Sequence, residues 1–376
     1  MVFTSIVEEV DSFDRFYEIR PEWDALASGE HNSVFLTWAW ISSWVDVIPS
    51  GVKLYQVSLA CDGEVVAKAL FTEQILRRNY VLKSKALALH ECLLPGCNLM
   101  IEHNGVLAKY PDSDILREII KALDAHFDWD EIYLSGVGQS YIPIVDSVAR
   151  ELASAKRVRG LSVARYVDLE GIRDCGGVFL DSLSKKTRYK VKRYCGSIES
   201  HGEINVTSPD SPVQAQAYLT ELIDLHQKYW QGKGGKGAFS RKSVESFHRR
   251  LIDHVYTLGG VQLLKVRCGS RTLGLVYSLV KDGQIYMIQS GYNYEQFEDS
   301  HPGYICLLKV IQYNMDKGYS KFDFLAGDSQ YKRSLSNADA TLYWIVLQRN
   351  KIKLRVEHMI RGVVKRFLAL SDDVAF

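Results

Sequence analysis

Two stretches of this chain align without a gap and read as the same structural statement. Residues 115–140 run ILREIIKALDAHFDWDEIYLSGVGQS, and residues 305–330 run ICLLKVIQYNMDKGYSKFDFLAGDSQ. Each opens with apolar residues near every third or fourth position, passes a short turn, and ends in alternation of the kind a strand shows. Trp129, Ile132 and Leu134 fall where Tyr319, Phe322 and Phe324 fall. Upstream of each lies a hairpin pattern. Residues 53–74 read as two strands joined at Asp62-Gly63, and residues 261–292 as three, joined near Gly269-Ser270 and at Asp282-Gly283. Asp-Gly pairs suit tight hairpin turns because both central positions take positive φ. A pattern stated twice at this length predicts a duplicated α/β unit, with 141–180 as the connection, where Pro143, Gly160, Gly171 and Gly176-Gly177 cluster.

Composition agrees with two folded domains in 376 residues,. Lysine and arginine number 46 against 45 aspartates and glutamates, a net charge of +1, so bulk charge argues for neither a nucleic-acid nor a membrane partner,. The 7 cysteines are scattered, odd in number and form no CxxC, which predicts free thiols in a reducing, cytoplasmic setting,. The opening MVFTSIVEEVDSF lacks the basic and apolar regions of a signal peptide,. No window is long and apolar enough for a membrane span.

The stretch KFDFLAGDSQYKRSL, 321–335, carries the densest chemistry. Two aspartates, a tyrosine and a lysine follow the end of a strand that reads as buried. Asp328 suits a general base, while Tyr331 or Lys332 suits protonation of a leaving group or a grip on phosphate. The plainer alternative pairs Asp323 with a basic neighbour and uses Asp328 as a helix cap. His301, before Pro302, is a second candidate base because histidine titrates near neutrality. Ser300 suits a helix N-cap with Pro302 in the first turn.

These residues also carry a resemblance. Three antiparallel strands, a helix and a further strand form the core of GNAT acyltransferases. Gly318, Phe322, Asp323, Phe324, Gly327, Asp328, Tyr331 and Lys332 resemble the G-x-x-x-F-D-F-x-x-G-D-x-x-Y-K element of the cellulose-biosynthesis-associated, CelD-type branch. Phe35, Trp38 and Trp44 resemble its aromatic opening, and SKKTRYKVKRYCGSIESHG its basic central helix. The chain is also similar to FemAB peptidyltransferases, which carry two tandem GNAT-like domains. The resemblance implies an α/β (α+β) chain of two such domains, 1–165 and 166–376, each a mixed, mainly antiparallel sheet flanked by helices. It implies acyl transfer from acetyl-CoA or another acyl-CoA to an amino sugar, polysaccharide precursor or other envelope intermediate, without a metal. The FemAB alternative uses aminoacyl-tRNA, and a non-catalytic scaffold is the third reading. Only the second copy has the charged element, so the first is expected to be silent. One departure stands out. Where GNAT enzymes place a glycine-rich pyrophosphate loop, residues 292–304 hold Gly303 alone. Tyr292, Ser300, Gly303 and Tyr304 would then receive the carrier, at a helix N-terminus suited to anions.

Outside this element, residues 185–193 hold six cations in nine positions, inside a helix expected over 181–201. They read either as a solvated face or as a phosphate grip in which Arg188 and Arg193 supply the forks. A helix over 211–231 leads to QGKGGKGAFS, a lid-like loop without Walker spacing,. Tyr229 and Trp230 before it, and Trp38 near the N-terminus, are candidate acceptor contacts, although tryptophans clustered on a helix more often pack a core. His90, Cys92 and Cys97 lack a fourth ligand for zinc. Residues 351–370 read as a basic amphipathic helix, able to lie on a membrane surface or pack on its own domain.

Overall fold

The computed structural model describes residues 2–78, 82–95, 97, 99, 101–297 and 300–357. They form two compact units. The first comprises residues up to His31, Pro49–Gly160 and the chain from Tyr343; the second comprises Asn32–Ile48 and Leu161–Leu342. The main division therefore lies at 160/161, against the expected 165/166, and two segments belong to the unit remote from them in sequence. Packing explains the first of these. Phe35 meets Trp40 edge-on at 4.6 Å, Trp40 meets Phe247 at 4.8 Å, and Ser43 lies 3.4 Å from His254. In the other direction, Ile345 and Leu347 fill the core of the first unit.

In the first unit, strands β1 (Phe3–Glu9), β2 (Lys53–Cys61), β3 (Glu64–Arg78) and β4 (Leu82–Leu89) pair antiparallel in order. The short β5 (Leu107–Ala108) pairs with β3, and β6 (Glu131–Gly138) pairs parallel to β4. The hairpin between β2 and β3 turns at Asp62 and Gly63, both at positive φ (51° and 85°), as the dipeptide predicts. The helix Ser113–His126 starts at Asp112, whose carboxylate accepts the Asp114 amide. It buries Ile115, Leu116, Ile119, Ile120 and Leu123 on one face, the spacing that ties it to the sheet,.

Strand β7 (Ser154–Asp168) leads from the first unit into the second. There β8 (Ile204–Thr207), β9 (Val261–Cys268), β10 (Arg271–Lys281) and β11 (Gln284–Tyr292) pair antiparallel, and β12 (Lys321–Ala326) pairs parallel to β11. β13 (Ala338–Arg349) returns to the first unit. The two copies share their topology and their register. Ile132 pairs with Leu87, and its counterpart Phe322 pairs with Ile285. Two tandem units, each with a mainly antiparallel sheet flanked by helices, are therefore what the chain forms.

The basic helix begins later than the sequence predicts. The basic helix runs Lys185–Glu199, capped by Ser184, and a separate short turn covers Phe179–Ser182. The start falls at Ser184 rather than at 181 because the Ser184 hydroxyl accepts the Thr187 amide at 3.2 Å,. Among the described residues no helix is long and apolar enough to cross a membrane. Residues 352–357 are helical; the rest of the expected 351–370 helix lies outside the described residues.

Candidate active site

The site begins with a defect in the sheet of the second unit. β11 and β12 pair only from Gln284↔Lys321 to Tyr286↔Asp323 and then part. Side chains at the end of β12 account for the parting. The Leu325 amide donates to Asp323 Oδ1 at 2.8 Å, and Leu325 sits at φ 61°. A left-handed leucine costs on the order of 1–2 kcal/mol, so that turn is held against its own preference. Lys321 Nζ lies 2.9 Å from Asp323 Oδ2. Lys332 Nζ donates to the carbonyls of Leu325 at 3.1 Å and Ala326 at 2.6 Å. Asp323 and Lys332 both tie down the backbone of the bend, one through an amide and the other through carbonyls.

A cavity of about 820 Å³ fills the opening between the strands. Its wall combines the end of β11, the turn 327–332, the start of the helix Pro302–Asp316 and the end of the helix Pro212–Gly232. Of the residues expected from sequence, it brings together Asp328, Tyr331, Lys332, His301, Gly303, Tyr304, Tyr292, Tyr229 and Trp230. It leaves out the other five. Asp323 is fully buried beneath the bend and acts on backbone. Ser300 is buried against the Ser197 hydroxyl at 2.9 Å, and His301 takes the N-cap position instead. Arg188 donates to the carbonyls of Asp181 and Leu183, at 2.8 and 2.7 Å. Arg193 lies over the ring of Tyr194. Trp38 is buried in the core.

Phenols dominate the lining. Tyr229 and Tyr294 lie 4.9 Å apart with their rings tilted by 31°, and Tyr292 meets Tyr294 edge-on at 6.2 Å. Burial pushes the Tyr331, Tyr304 and Tyr292 hydroxyls up, Tyr292 the furthest, and lifts Tyr294 to about 12. All four are therefore neutral hydrogen-bond donors at physiological pH. The Tyr292 and Tyr304 oxygens are buried without a good hydrogen-bond partner among the described residues, a costly state for a polar group that faces no ligand.

Gly303 is needed for this close approach. A Cβ there would stand 2.8 Å from Tyr292 Cδ2 and 3.0 Å from the Tyr294 hydroxyl. Tyr292 cannot swing aside, since its other flank meets Gly274. Gly303→Ala is therefore expected to destabilise the protein by about 1–3 kcal/mol, read as a lower denaturant midpoint, and to weaken binding at the cavity. An unchanged midpoint would contradict the packing described.

Two imidazoles reach the cavity and they differ. His226 is used up: its Nδ1 lies 3.1 Å from the Ser290 carbonyl, and its Nε2 accepts the Ala238 amide at 3.2 Å. Burial lowers its pKa, so it stays neutral and holds the segment after Gly232 in place. His301 is exposed, its ring lies tilted against Tyr194 at 4.4 Å, and among the described residues the imidazole makes no hydrogen bond, although the backbone carbonyl accepts the Tyr304 amide at 3.0 Å. Its backbone is left-handed, φ 48° and ψ 59°. Strain of this kind clusters at functional positions.

Asp328 differs from the base expected of it. Its carboxylate is 41% exposed and bound 2.7 Å from Arg165 Nε and 2.7 Å from Arg333. The hydrogen bond from Arg165 above all holds its pKa below the usual range. Such a carboxylate is a poor proton acceptor. Sequence reasoning also missed lining residues: Lys190, Tyr194, His226 and Tyr294. His226 stands one helical turn before Trp230, and Tyr294 two residues after Tyr292, which were the available signals.

Comparison with known proteins bears on the fold. No curated protein matches the chain. The crystal structure of FemX superposes with a TM-score of 0.59 at 11% identity, covering 94% of this chain and 99% of that one. A conserved protein of unknown function from Bacteroides thetaiotaomicron VPI-5482 gives 0.57 at 9% identity, over 92% and 100% of the two chains. Residues 185–333, which contain every residue lining the cavity except Ser334, match the family described as an acetyltransferase (GNAT) domain, and over most of its length the chain shares the fold of FemX.

Proposed function

We propose that this protein transfers an acyl group from an acyl-CoA or a similarly activated carrier to an amine or hydroxyl acceptor. The observation that carries the reading is the parting of β11 and β12 over a phenol-lined cavity beside a helix N-terminus. The parted strands leave a slot for an extended carrier arm. The amides and dipole at the start of Pro302–Asp316 favour its anionic part. Tyr229 and Trp230, both partly exposed at the rim, offer ring faces to the acceptor. An amino sugar or polysaccharide precursor, as the CelD-type resemblance suggests, fits such a surface.

In this mechanism the acceptor's nitrogen or oxygen attacks the carbonyl carbon of the donor. His301 takes the acceptor's proton. The new bond forms as the carbon–sulfur bond breaks, and the Tyr331 phenol gives its proton to the leaving sulfur. Asp328 holds Arg165 and Arg333, and Lys332 holds the bend. The first unit, which has Ser135–Gln139 where the second has Leu325–Ser329, acts as support.

Thiol release from acyl-CoA in the presence of amino-sugar acceptors tests the reading directly. His301→Gln is expected to lower kcat roughly 100-fold, whereas Asp328→Asn should stay within about tenfold of wild type if its carboxylate takes no proton. A hundredfold loss in Asp328→Asn with no loss in His301→Gln would reverse the two roles. Absence of both CoA binding and turnover would set the reading aside. A second reading keeps the site and changes the carrier to an aminoacyl-tRNA, favoured by the fold likeness to FemX; transfer from charged tRNA alone would install it.

A further inference from the structure

Beside the large cavity lies a second of about 400 Å³, which shares Lys190, Gln330 and Ser334 with it. One wall is the first turn of the basic helix, with Ser184, Lys186 and Thr187. The other runs from Arg333 to Asn337. Three cations face this space, Lys186, Lys190 and Arg333, and the remaining lining is mostly hydroxyl and amide; among the described residues no carboxylate lines it. Lys186 and Lys190 stand four apart, hence on one helix face, and neither forms an ion pair among the described residues. Like charges at that spacing repel, so the arrangement lowers stability unless an anion sits between them. Arg333 is turned to Asp328 by one nitrogen only, which leaves the rest of its fork open.

We infer that this second cavity takes a phosphate group of the carrier's nucleotide end, while the acyl end occupies the large cavity. The inference rests on the acyl-transfer reading and adds the chemistry of the donor to it. Of the six cations in the run 185–193, the fold selects two for this role. Arg188 braces the preceding short helix through two carbonyls and Arg193 lies over Tyr194, so neither forms the fork that their side chains suggest. Lys190, Gln330 and Ser334 line both cavities, so the two sites are adjacent enough for one extended ligand to occupy both. A nucleotide phosphate is common to coenzyme A and to the 3′ end of an aminoacyl-tRNA, and the choice between them is left to the test.

Equilibrium binding of coenzyme A, pantetheine and a CCA-ended RNA minihelix to the full chain, at low and moderate salt, provides that test. Wild type should prefer coenzyme A, or the minihelix, over phosphate-free pantetheine. Lys186→Gln is expected to reduce that preference about tenfold, the loss typical of one charge-assisted contact, and to flatten its salt dependence. Lys186→Arg should restore both. Lys186 is exposed, so these substitutions leave the fold intact. Preference for the minihelix over coenzyme A would identify the phosphate as tRNA's. Equal binding of coenzyme A and pantetheine, or a preference unmoved by Lys186→Gln, overturns the inference and leaves acyl transfer standing. Failure of all three ligands to bind overturns both.

Discussion

Tyr331→Phe is expected to lower kcat by about two to three orders of magnitude, the range for loss of a general acid, with little change in KM. Burial raises the Tyr331 pKa, so the phenol keeps its proton at neutral pH. A carrier thiol leaves as a thiolate, and a neutral hydroxyl at that atom stabilises the charge as it develops and then gives its proton. Tyr292 and Tyr304 are neutral for the same reason, but they flank the helix start, so their Phe variants should alter KM more than kcat. The leaving group discriminates between these roles. Acyl thioesters of acidic aryl thiols need no proton from the enzyme and should recover most of the Tyr331→Phe deficit. A deficit that is the same for acidic and ordinary thiols would remove Tyr331 from the proton-donor role and make it a packing residue, which its edge-on contact with Phe324 at 6.1 Å would also suit.

Stability is expected to collapse on mild acidification, in both units. His90 in the first unit is fully buried; its Nδ1 lies 3.0 Å from Asn104 Oδ1, and its Nε2 accepts the Leu70 amide. His248 in the second lies among Phe239, Phe247 and Tyr277, with Nδ1 unpartnered. Burial lowers these pKa values to about 4 and about 3 respectively. Unfolded histidine titrates near 6.5. Below that pH the unfolded chain binds protons that the folded chain refuses, so the free energy of unfolding falls as pH falls. Stability is complete above about pH 6.5 and declines toward pH 4, by roughly 1.4 kcal/mol per pH unit for each such group. His226, lowered in the same direction, adds to the loss. Denaturant midpoints measured from pH 7.5 to 4.5 should drop steadily, and His248→Leu should flatten the slope of the second unit. Midpoints independent of pH over this range would mean that the imidazoles are hydrated or paired in the native state.

The duplicated fold was legible because its signals are local. Ile115, Leu116, Ile119, Ile120 and Leu123 announce a helix through spacing alone, and Asp62-Gly63 and Asp282-Gly283 mark hairpins through backbone sterics. A gap-free alignment then placed Ile132 and Phe322 at one position, and both take the same place in their sheets. The site was half legible. Tyr331, Lys332, Asp328, His301 and Gly303 do share a cavity, since a strand end and the helix preceding that strand are neighbours in this topology. Their roles were less legible, because a carboxylate's role depends on what faces it. Asp323 and Asp328 look alike in sequence. One meets a backbone amide and Lys321; the other meets two guanidinium groups, and Arg165 comes from 163 residues away.

Residue spacing by itself determined the repeated unit, its helix faces and its turns, because those depend on contacts within about ten residues of each other. Tertiary structure alone decided that residues 32–48 pack with the second unit, that Arg188 is tied to carbonyls while Lys186 and Lys190 face a cavity, and that His301 has the open imidazole while His226 does not. Each depends on which distant group arrives to satisfy or displace a charge, and no local pattern encodes that arrival.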